Sequence, residues 1–155
     1  MPLISAGLLL FRQHDGQLEV FLVHPGGPFW RNKDLGAWSI PKGEGAPGED
    51  PLMTARRELR EETGFDVGGP FTCLHPIRQA GGKIVQAWAA PADLEPSRLI
   101  SNTFTMEWPP RSGRQQEFPE IDRAAWFPLD EARARILSGQ IPLLDELVTL
   151  VSDRS

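Results

Sequence analysis

The chain has 155 residues, 40% of them hydrophobic and 24% charged, so it is long enough to bury the core of one domain. A formal net charge of −5 argues against stable, sequence-independent binding to nucleic acid or to an anionic membrane. Cys73 is the only cysteine, which excludes an intrachain disulfide, and no apolar run approaches the roughly 18 residues of a membrane span. We therefore expect one cytoplasmic domain, residues 1–155, that does not associate with membranes.

The first elements along the chain indicate a β-hairpin. Residues 4–11 and 18–24 are short and apolar, and Asp15-Gly16 between them supplies the left-handed backbone of a tight turn. Residues 24–36 indicate a loop from their Gly, Pro and Asn content. Residues 37–40 predict a short strand that ends before Pro41.

The second half of the chain predicts more strands than helices. Strand candidates lie at about 71–78, 83–90, 102–108 and 124–129, and helix candidates at 130–137 and 143–151, with Asp130 as the N-cap of the first. Because strands and helices do not alternate as βαβ units, the pattern indicates an α+β fold with layers.

One helix in the middle of the chain is marked at both ends. Asp50 and Pro51 are typical of a helix start, and Gly64 is typical of a left-handed stop. Between them, one apolar stripe is formed by Leu52, Ala55 and Leu59. A neighbouring stripe carries three acids at i, i+3 and i+4, namely Glu58, Glu61 and Glu62.

This acidic stripe is costly for an isolated helix. Like charges at these spacings destabilise a helix by about 0.2–0.5 kcal/mol per pair, and the C-terminal end of a helix disfavours anions. A solvated acidic face is one interpretation. The other is a site for a divalent cation, because clustered carboxylates on a rigid element are the ligands that Mg²⁺ or Mn²⁺ requires.

The spacing around the three acids favours the metal site. Gly43, Glu49 and the run RELREETGF at 57–65 resemble the Nudix hydrolase signature G-x5-E-x7-R-E-U-x-E-E-x-G-U. Only Phe65 departs from it, as an aromatic residue in place of the usual aliphatic one. The segments WSIPKG before this box (43–65) and EFPEIDRAAWFPLDEA after it are also similar to small bacterial members of the family.

The resemblance implies a Nudix fold, with a mixed β-sheet sandwiched between α-helices, and hydrolysis of a pyrophosphate linkage in a nucleotide. Members of the family use Mg²⁺ or Mn²⁺. By that resemblance Glu58, Glu61 and Glu62 bind the metals and one nearby glutamate serves as base, while Arg57 and Glu49 pair to hold helix and loop. The chemistry agrees, because a pyrophosphate is anionic and needs its charge neutralised before water attacks.

Residues around the box complete the expected site. Gly43 lets the backbone approach a metal or phosphate closely. A fourth metal-binding carboxylate, common in the family, is assigned to Glu120 from its spacing to Trp126, with Glu117 as the alternative. The expected phosphate contacts are the cationic side chains of Lys42, Arg111 and Arg114.

The substrate is less constrained than the reaction. Lys42 and the segment from Glu120 to Trp126 favour a dinucleoside polyphosphate or a nucleoside triphosphate. An RNA 5′-end pyrophosphohydrolase, an ADP-ribose or nucleotide-sugar pyrophosphatase and a non-catalytic nucleotide-sensing module are the alternatives. Phe29 and Trp30 are candidates for stacking on a base. The sequence leaves open a monomer or a homodimer.

Overall fold

The computed structural model describes residues 4–153, and within that range a mixed β-sheet lies between helices. The strands are β1 (Ile4–His14), β2 (Gln17–Pro25), β3 (Lys42–Glu44), β4 (Thr72–Cys73), β5 (Ile77–Arg78), β6 (Ile84–Pro91), β7 (Thr103–Glu107), β8 (Gln115–Pro119) and β9 (Ile121–Pro128). The α-helices are α1 (Pro51–Thr63), α2 (Leu129–Arg135) and α3 (Ile141–Asp153). Single turns of 3₁₀-helix lie at Ala80–Gly82, Pro96–Arg98 and Ser138–Gln140.

The main sheet has seven strands with the central order β4-β6-β1-β2-β9. Strands β1 and β6 run parallel, and the other neighbours are antiparallel. Strand β3 pairs with the start of β1, and β5 pairs with the start of β6. Strands β7 and β8 form a separate two-stranded hairpin. The expected α+β architecture is confirmed.

The predicted first hairpin is present with the predicted turn. Its strands pair up to His14 and Gln17, and the two residues between them have positive φ, 51° for Asp15 and 78° for Gly16. A type of turn that needs left-handed backbone at both central residues is the connection that matches the twist of a hairpin.

Alternate residues of the central strands pack into two hydrophobic cores, one on each face of the sheet, because successive side chains of a strand point to opposite faces. The core on the side of α1 includes Leu8, Leu10, Phe21, Ala55 and Leu59. The core on the side of α2 and α3 includes Leu9, Val20, Leu22, Leu143, Leu144 and Leu147. The sheet is therefore covered on both faces, and α1 alone carries the acidic stripe.

Two segments are less regular than the sequence predicts. Residues 37–40 form isolated bridges, Ser39 to Val23 and Trp38 to Ile136, rather than a strand. Ser39 exchanges both backbone bonds with Val23, and the ladder stops because Pro41, the next residue in position to bond β2, has no N–H. The Ile40 N–H donates to the side-chain Oε1 of Gln140 (3.0 Å). The expected strand at 71–78 is split into β4 and β5.

Two further expectations need correction. The polar run at 115–119, which lies outside the predicted strands, is strand β8. Helix α2 begins at Leu129, so Asp130 lies in its first turn and is not the N-cap. Its carboxylate still accepts a bond from the Glu131 N–H (2.9 Å), which suits the positive end of the helix.

The loop between β2 and β3 is fixed by polar contacts at its base. The buried ring of His24 lies with Nδ1 2.8 Å from the Asp122 carboxylate and Nε2 2.6 Å from the Lys33 carbonyl. The Asp34 carboxylate accepts bonds from Trp38 Nε1 (2.7 Å) and Arg135 Nη1 (2.6 Å). This loop is thereby tied to β2, β9 and α2.

None of the helices within residues 4–153 is both long and apolar enough to cross a membrane.

The orientation of α3 makes a prediction about stability. Leu147 is fully buried against the sheet, whereas its neighbour Val148 is 37% exposed. We expect Leu147→Ala to lower the free energy of unfolding by about 2–5 kcal/mol, because it leaves a cavity in the core. Val148→Ala, the matched control, should change it by no more than about 0.5 kcal/mol in urea denaturation. Equal effects of the two substitutions would contradict the orientation of this helix.

Candidate functional site

Helix α1 places three glutamates beside the core-facing stripe. The helix begins after Asp50, whose side chain accepts a bond from the Met53 N–H, and ends at Gly64, with φ of 80°. Ala55 and Leu59 of the predicted apolar stripe are buried, and Leu52 packs against the same core. The acidic stripe is therefore held at the edge of a packed interface.

The Arg57 guanidinium links this helix to the loop that precedes it. Its Nε and Nη2 donate to the two carboxylate oxygens of Glu49 (2.9 and 3.0 Å), and its Nη1 donates to Glu58 (3.0 Å) and Glu61 (2.9 Å). Nη2 also donates to the Glu44 carbonyl (3.1 Å). Charge-assisted bonds in a planar fork fix geometry as well as supply energy. The predicted pairing of Arg57 with Glu49 is present.

The Glu49 carboxylate accepts hydrogen bonds from three residues. Besides Arg57, the buried Thr54 hydroxyl donates to its Oε1 (2.7 Å), and so does the Ala46 N–H (3.1 Å). These donors, with Arg57 first, lower the pKa of Glu49 to about 2. Thr54 stands at an unspecified position of the motif, so sequence analysis missed it. The signal that could have identified Thr54 is its position in the first turn of α1, from which a hydroxyl can donate to the preceding loop.

Glu62 is the most deeply buried of the three acids, with 8% of its surface exposed. Burial, followed by the charge of Glu58, raises the pKa of Glu62 to about 8, although nearby Lys42 pulls in the opposite direction. The backbone of Lys42 also hydrogen-bonds to this carboxylate. Desolvation outweighs the attraction of the lysine, so the protonated form of Glu62 is favoured near neutral pH.

Glu58 fills the space that Gly43 leaves open. A Cβ on Gly43 would clash with the Glu58 carboxylate, so a larger residue there would displace that side chain. Burial raises the pKa of Glu58, the attraction of Arg57 opposes this shift, and the charge of Glu61 adds to it. The glycine is required by this close approach and not by a left-handed backbone.

Glu120 lies close enough to the helix for its charge to act on the α1 acids. Burial, followed by the charge of Glu61, raises the pKa of Glu120. Glu117, the alternative, lies in β8 opposite Thr105, in the separate hairpin, and is exposed. The charge of Glu120 therefore reaches the α1 acids, and its assignment as the fourth metal ligand stays a prediction.

Lys42 lies near the α1 acids, since its charge acts on both Glu62 and Glu58. It lies opposite Gly7, and a Cβ on Gly7 would lie 2.7 Å from the Lys42 Cβ, so both positions point to the same face of the sheet. Since the next residue, Gly43, points to the face of Glu58, the Lys42 side chain starts on the opposite face. Burial and then the charge of Lys83 lower the pKa of Lys42, although the surrounding glutamates raise it.

The two candidate arginines lie away from the carboxylates. Arg111 and Arg114 are exposed in the turn between β7 and β8, where the Arg111 N–H donates to the Glu107 carboxylate (2.6 Å). A strand rises about 3.3 Å per residue, so Arg114 lies roughly 20 Å along the hairpin from Glu120. The structure does not bring them together with the α1 acids.

A cavity of about 200 Å³ opens beside Glu62. Its lining includes Val23, Trp30, Ile40, Lys42, Ile121 and Leu137. Phe29 instead packs edge-on against Trp108, with ring centroids 5.5 Å apart. Ligand pockets usually measure about 300–1,000 Å³, so this cavity suits one ring system rather than a whole nucleotide.

The four carboxylates offer only oxygen ligands, which suits Mg²⁺ or Mn²⁺. Within residues 4–153, no three acidic, His or Cys side chains are arranged as a ready-made metal cluster. Arg57 engages Glu58 and Glu61, and like charges keep carboxylates apart. A cation would have to replace part of this Arg57 bonding and draw the side chains together.

Comparison with known proteins supports the same family. The family model described as the NUDIX domain matches residues 1–147. The asymmetrical bis(5′-nucleosyl)-tetraphosphatase of Mus musculus is 36% identical over 72 residues, 43% of this chain and 45% of the relative. The chain therefore spans less than half the length of this relative. An RNA pyrophosphohydrolase of Rickettsia rickettsii is 29% identical over 126 residues, 76% of this chain and 71% of the relative.

Solved structures share the fold. An Ap4A hydrolase of C. elegans in a binary complex has a TM-score of 0.67 and 22% identity, with 96% of this chain and 98% of that chain covered. The NUDIX domain of Shewanella oneidensis NrtR, complexed with ADP ribose, has a TM-score of 0.66 and 22% identity, with 97% of this chain and 89% of that chain covered. With a family model that matches almost the whole chain, this protein belongs to the NUDIX domain family.

Proposed function

We propose that the chain, as a single domain over residues 1–155, hydrolyses a phosphoanhydride bond of a nucleoside polyphosphate with Mg²⁺ or Mn²⁺. The observation that carries this proposal is the approach of Glu58, Glu61, Glu62 and Glu120 from two parts of the fold to one half-buried place. Burial and the charges of neighbouring acids oppose the ionisation of Glu58, Glu62 and Glu120, so these three gain most from a bound cation.

The carboxylates of Glu58, Glu61, Glu62 and Glu120 would hold the metal, with the backbone of Gly43 beside them. A divalent cation at this place would neutralise phosphate oxygens and lower the pKa of the attacking water. The set fits such an ion because the space at Gly43 admits the Glu58 carboxylate against the backbone.

The remaining chemistry falls to residues of the chain itself. The water oxygen bonds to phosphorus while the bridging P–O bond breaks, and one glutamate of the set accepts the water proton. Arg57 and Glu49 hold the helix and the loop in a fixed relation, so the carboxylates keep their positions. Misplacement of a reacting group by even about 1 Å costs on the order of 10²-fold in rate.

We propose a dinucleoside polyphosphate as substrate. The mouse relative is named as an asymmetrical bis(5′-nucleosyl)-tetraphosphatase, which supports this choice. Trp30 lines the cavity beside Glu62, where one base could stack. Lys42 lines the same cavity, where its ammonium would contact a phosphate. Arg111 and Arg114 could contact only groups far from the bond that is cut.

The second candidate is removal of pyrophosphate from RNA 5′ ends, which the name of the Rickettsia relative favours. The net charge of −5 argues against a long RNA contact. A module that senses a nucleotide without cleaving it would not need all four carboxylates.

The metal site makes the first prediction of activity. Glu62→Gln and Glu120→Gln each remove one charge and keep the shape, and we expect each to lower kcat by at least about 10²-fold in Mg²⁺-dependent phosphate release. Glu117→Gln is the matched control and should keep wild-type turnover. EDTA should abolish activity, and added Mg²⁺ or Mn²⁺ should restore it. A larger loss in Glu117→Gln than in Glu120→Gln would contradict the proposed ligand set.

A panel of nucleotides tests the substrate. We expect kcat/KM to be higher for diadenosine tetraphosphate than for ATP or ADP-ribose, because the longer chain gains contacts beyond the metals. Lys42→Ala should reduce turnover of the tetraphosphate more than that of ADP-ribose. A panel in which a nucleotide sugar is the best substrate would overturn this choice and leave the metal site standing.

A further inference from the structure

The segment from Leu99 to Asn102 connects the two parts of the site. Two of its backbone N–H groups donate to carbonyls at the C-terminal end of α1: Ile100 to Thr63 (2.9 Å) and Asn102 to Glu61 (2.8 Å). The carbonyl of Asn102 then accepts the N–H of Glu120 (2.8 Å). This segment, which we call the strut, is therefore bonded on one side to a glutamate of the helix and on the other to the fourth acid.

Ser101 is the side chain that ties the strut to β9. Its Oγ accepts the N–H of Ile121 (3.0 Å) and donates to the carbonyl of Asn102 (2.8 Å). The strut thus holds two successive N–H groups, those of Glu120 and Ile121, through one backbone carbonyl and one hydroxyl.

Gly64 gives the strut room to reach the helix. A Cβ at Gly64 would lie 3.1 Å from the Ile100 carbonyl oxygen and 3.2 Å from the Ile100 Cβ, closer than ordinary contact. This glycine therefore serves the docking of the strut as well as the left-handed end of the helix, where its φ is 80°.

The strut opposes the separation of two acidic residues. Glu61 and Glu120 carry like charges that act on one another. Repulsion between them favours any movement that carries Glu120 away from the helix. The Glu120 carbonyl accepts the N–H of Gly26 (2.8 Å), which anchors this residue to the end of β2. On the side of α1, the Ser101 hydroxyl adds an attachment at the next residue, Ile121.

We propose that Ser101 is a positioning residue that fixes the spacing between Glu120 and Glu61, and so sets the affinity of the site for a divalent cation. The inference rests on the proposed function for the role of Glu120, but the spacing itself can be measured without turnover.

The test compares Ser101→Ala with Ser101→Thr, which restores the hydroxyl, and with Ser97→Ala, an exposed serine earlier in the same connection. Calorimetric titration with Mn²⁺ gives the affinity, and amide hydrogen exchange gives the protection of Glu120 and Ile121. We expect Ser101→Ala to weaken Mn²⁺ binding about tenfold, as removal of outer-shell support does elsewhere. It should also speed exchange at both amides and lower kcat with KM little changed, whereas the other two variants resemble the wild type.

Wild-type affinity and exchange in Ser101→Ala would overturn the inference. So would a loss that Ser101→Thr shares in full, because that result assigns the effect to packing and not to the hydroxyl. Failure of the wild type to bind Mn²⁺ or to cleave any nucleotide would refute the proposed function, and not the inference about Ser101. In that case faster exchange at Glu120 and Ile121 in Ser101→Ala alone would still support the strut, and unchanged exchange would refute it.

Discussion

Repulsion among carboxylates is the constraint on which this structure depends. Glu58, Glu61 and Glu62 share one stripe at the end of a helix that disfavours anions, and Glu120 adds a fourth charge from another element. Exposed acids would lose most of this repulsion to solvent, but Glu62 is buried and cannot. The repulsion is reduced partly by protonation of Glu62 and partly by the positive charge of Arg57.

Arg57 is effective because its own position is fixed from the loop side. The two oxygens of the Glu49 carboxylate accept bonds from Nε and Nη2 on one edge of the guanidinium, and Thr54 and Ala46 donate to Glu49 in turn. Loop, arginine and helix form one bonded unit, so that the acids of α1 face the short strand β3. The pairing of β3 with β1 brings Gly43 against Glu58. Each contact is short-range, and together they place the charges where a cation can bridge them.

The sequence was most informative where function and local structure use the same residues. Asp50, Gly64 and the apolar stripe of α1 follow from propensity, and the Glu49–Arg57 pair follows from the motif. The direction of the Lys42 side chain could not be predicted, because it depends on the register of β3 against β1. Ser101 lies in the connection that no pattern assigns, and the bond that its Oγ accepts from the Ile121 N–H joins residues 20 positions apart. Strand β8 was missed because its stability comes from pairing with β7 and not from apolar alternation.

The most direct measurement is calorimetric titration of the metal-free protein with Mn²⁺ at pH 7, in two buffers with different ionisation enthalpies. Because the pKa of Glu62 lies at about 8, that carboxyl is largely protonated at pH 7 and must lose its proton to bind a cation. The account predicts Mn²⁺ binding with release of close to one proton, and an affinity that rises with pH up to about 8. Glu62→Gln should bind more weakly and release correspondingly fewer protons. Binding without proton release in the wild type, or no binding at millimolar Mn²⁺, would contradict the claim that a cation relieves the repulsion of this cluster.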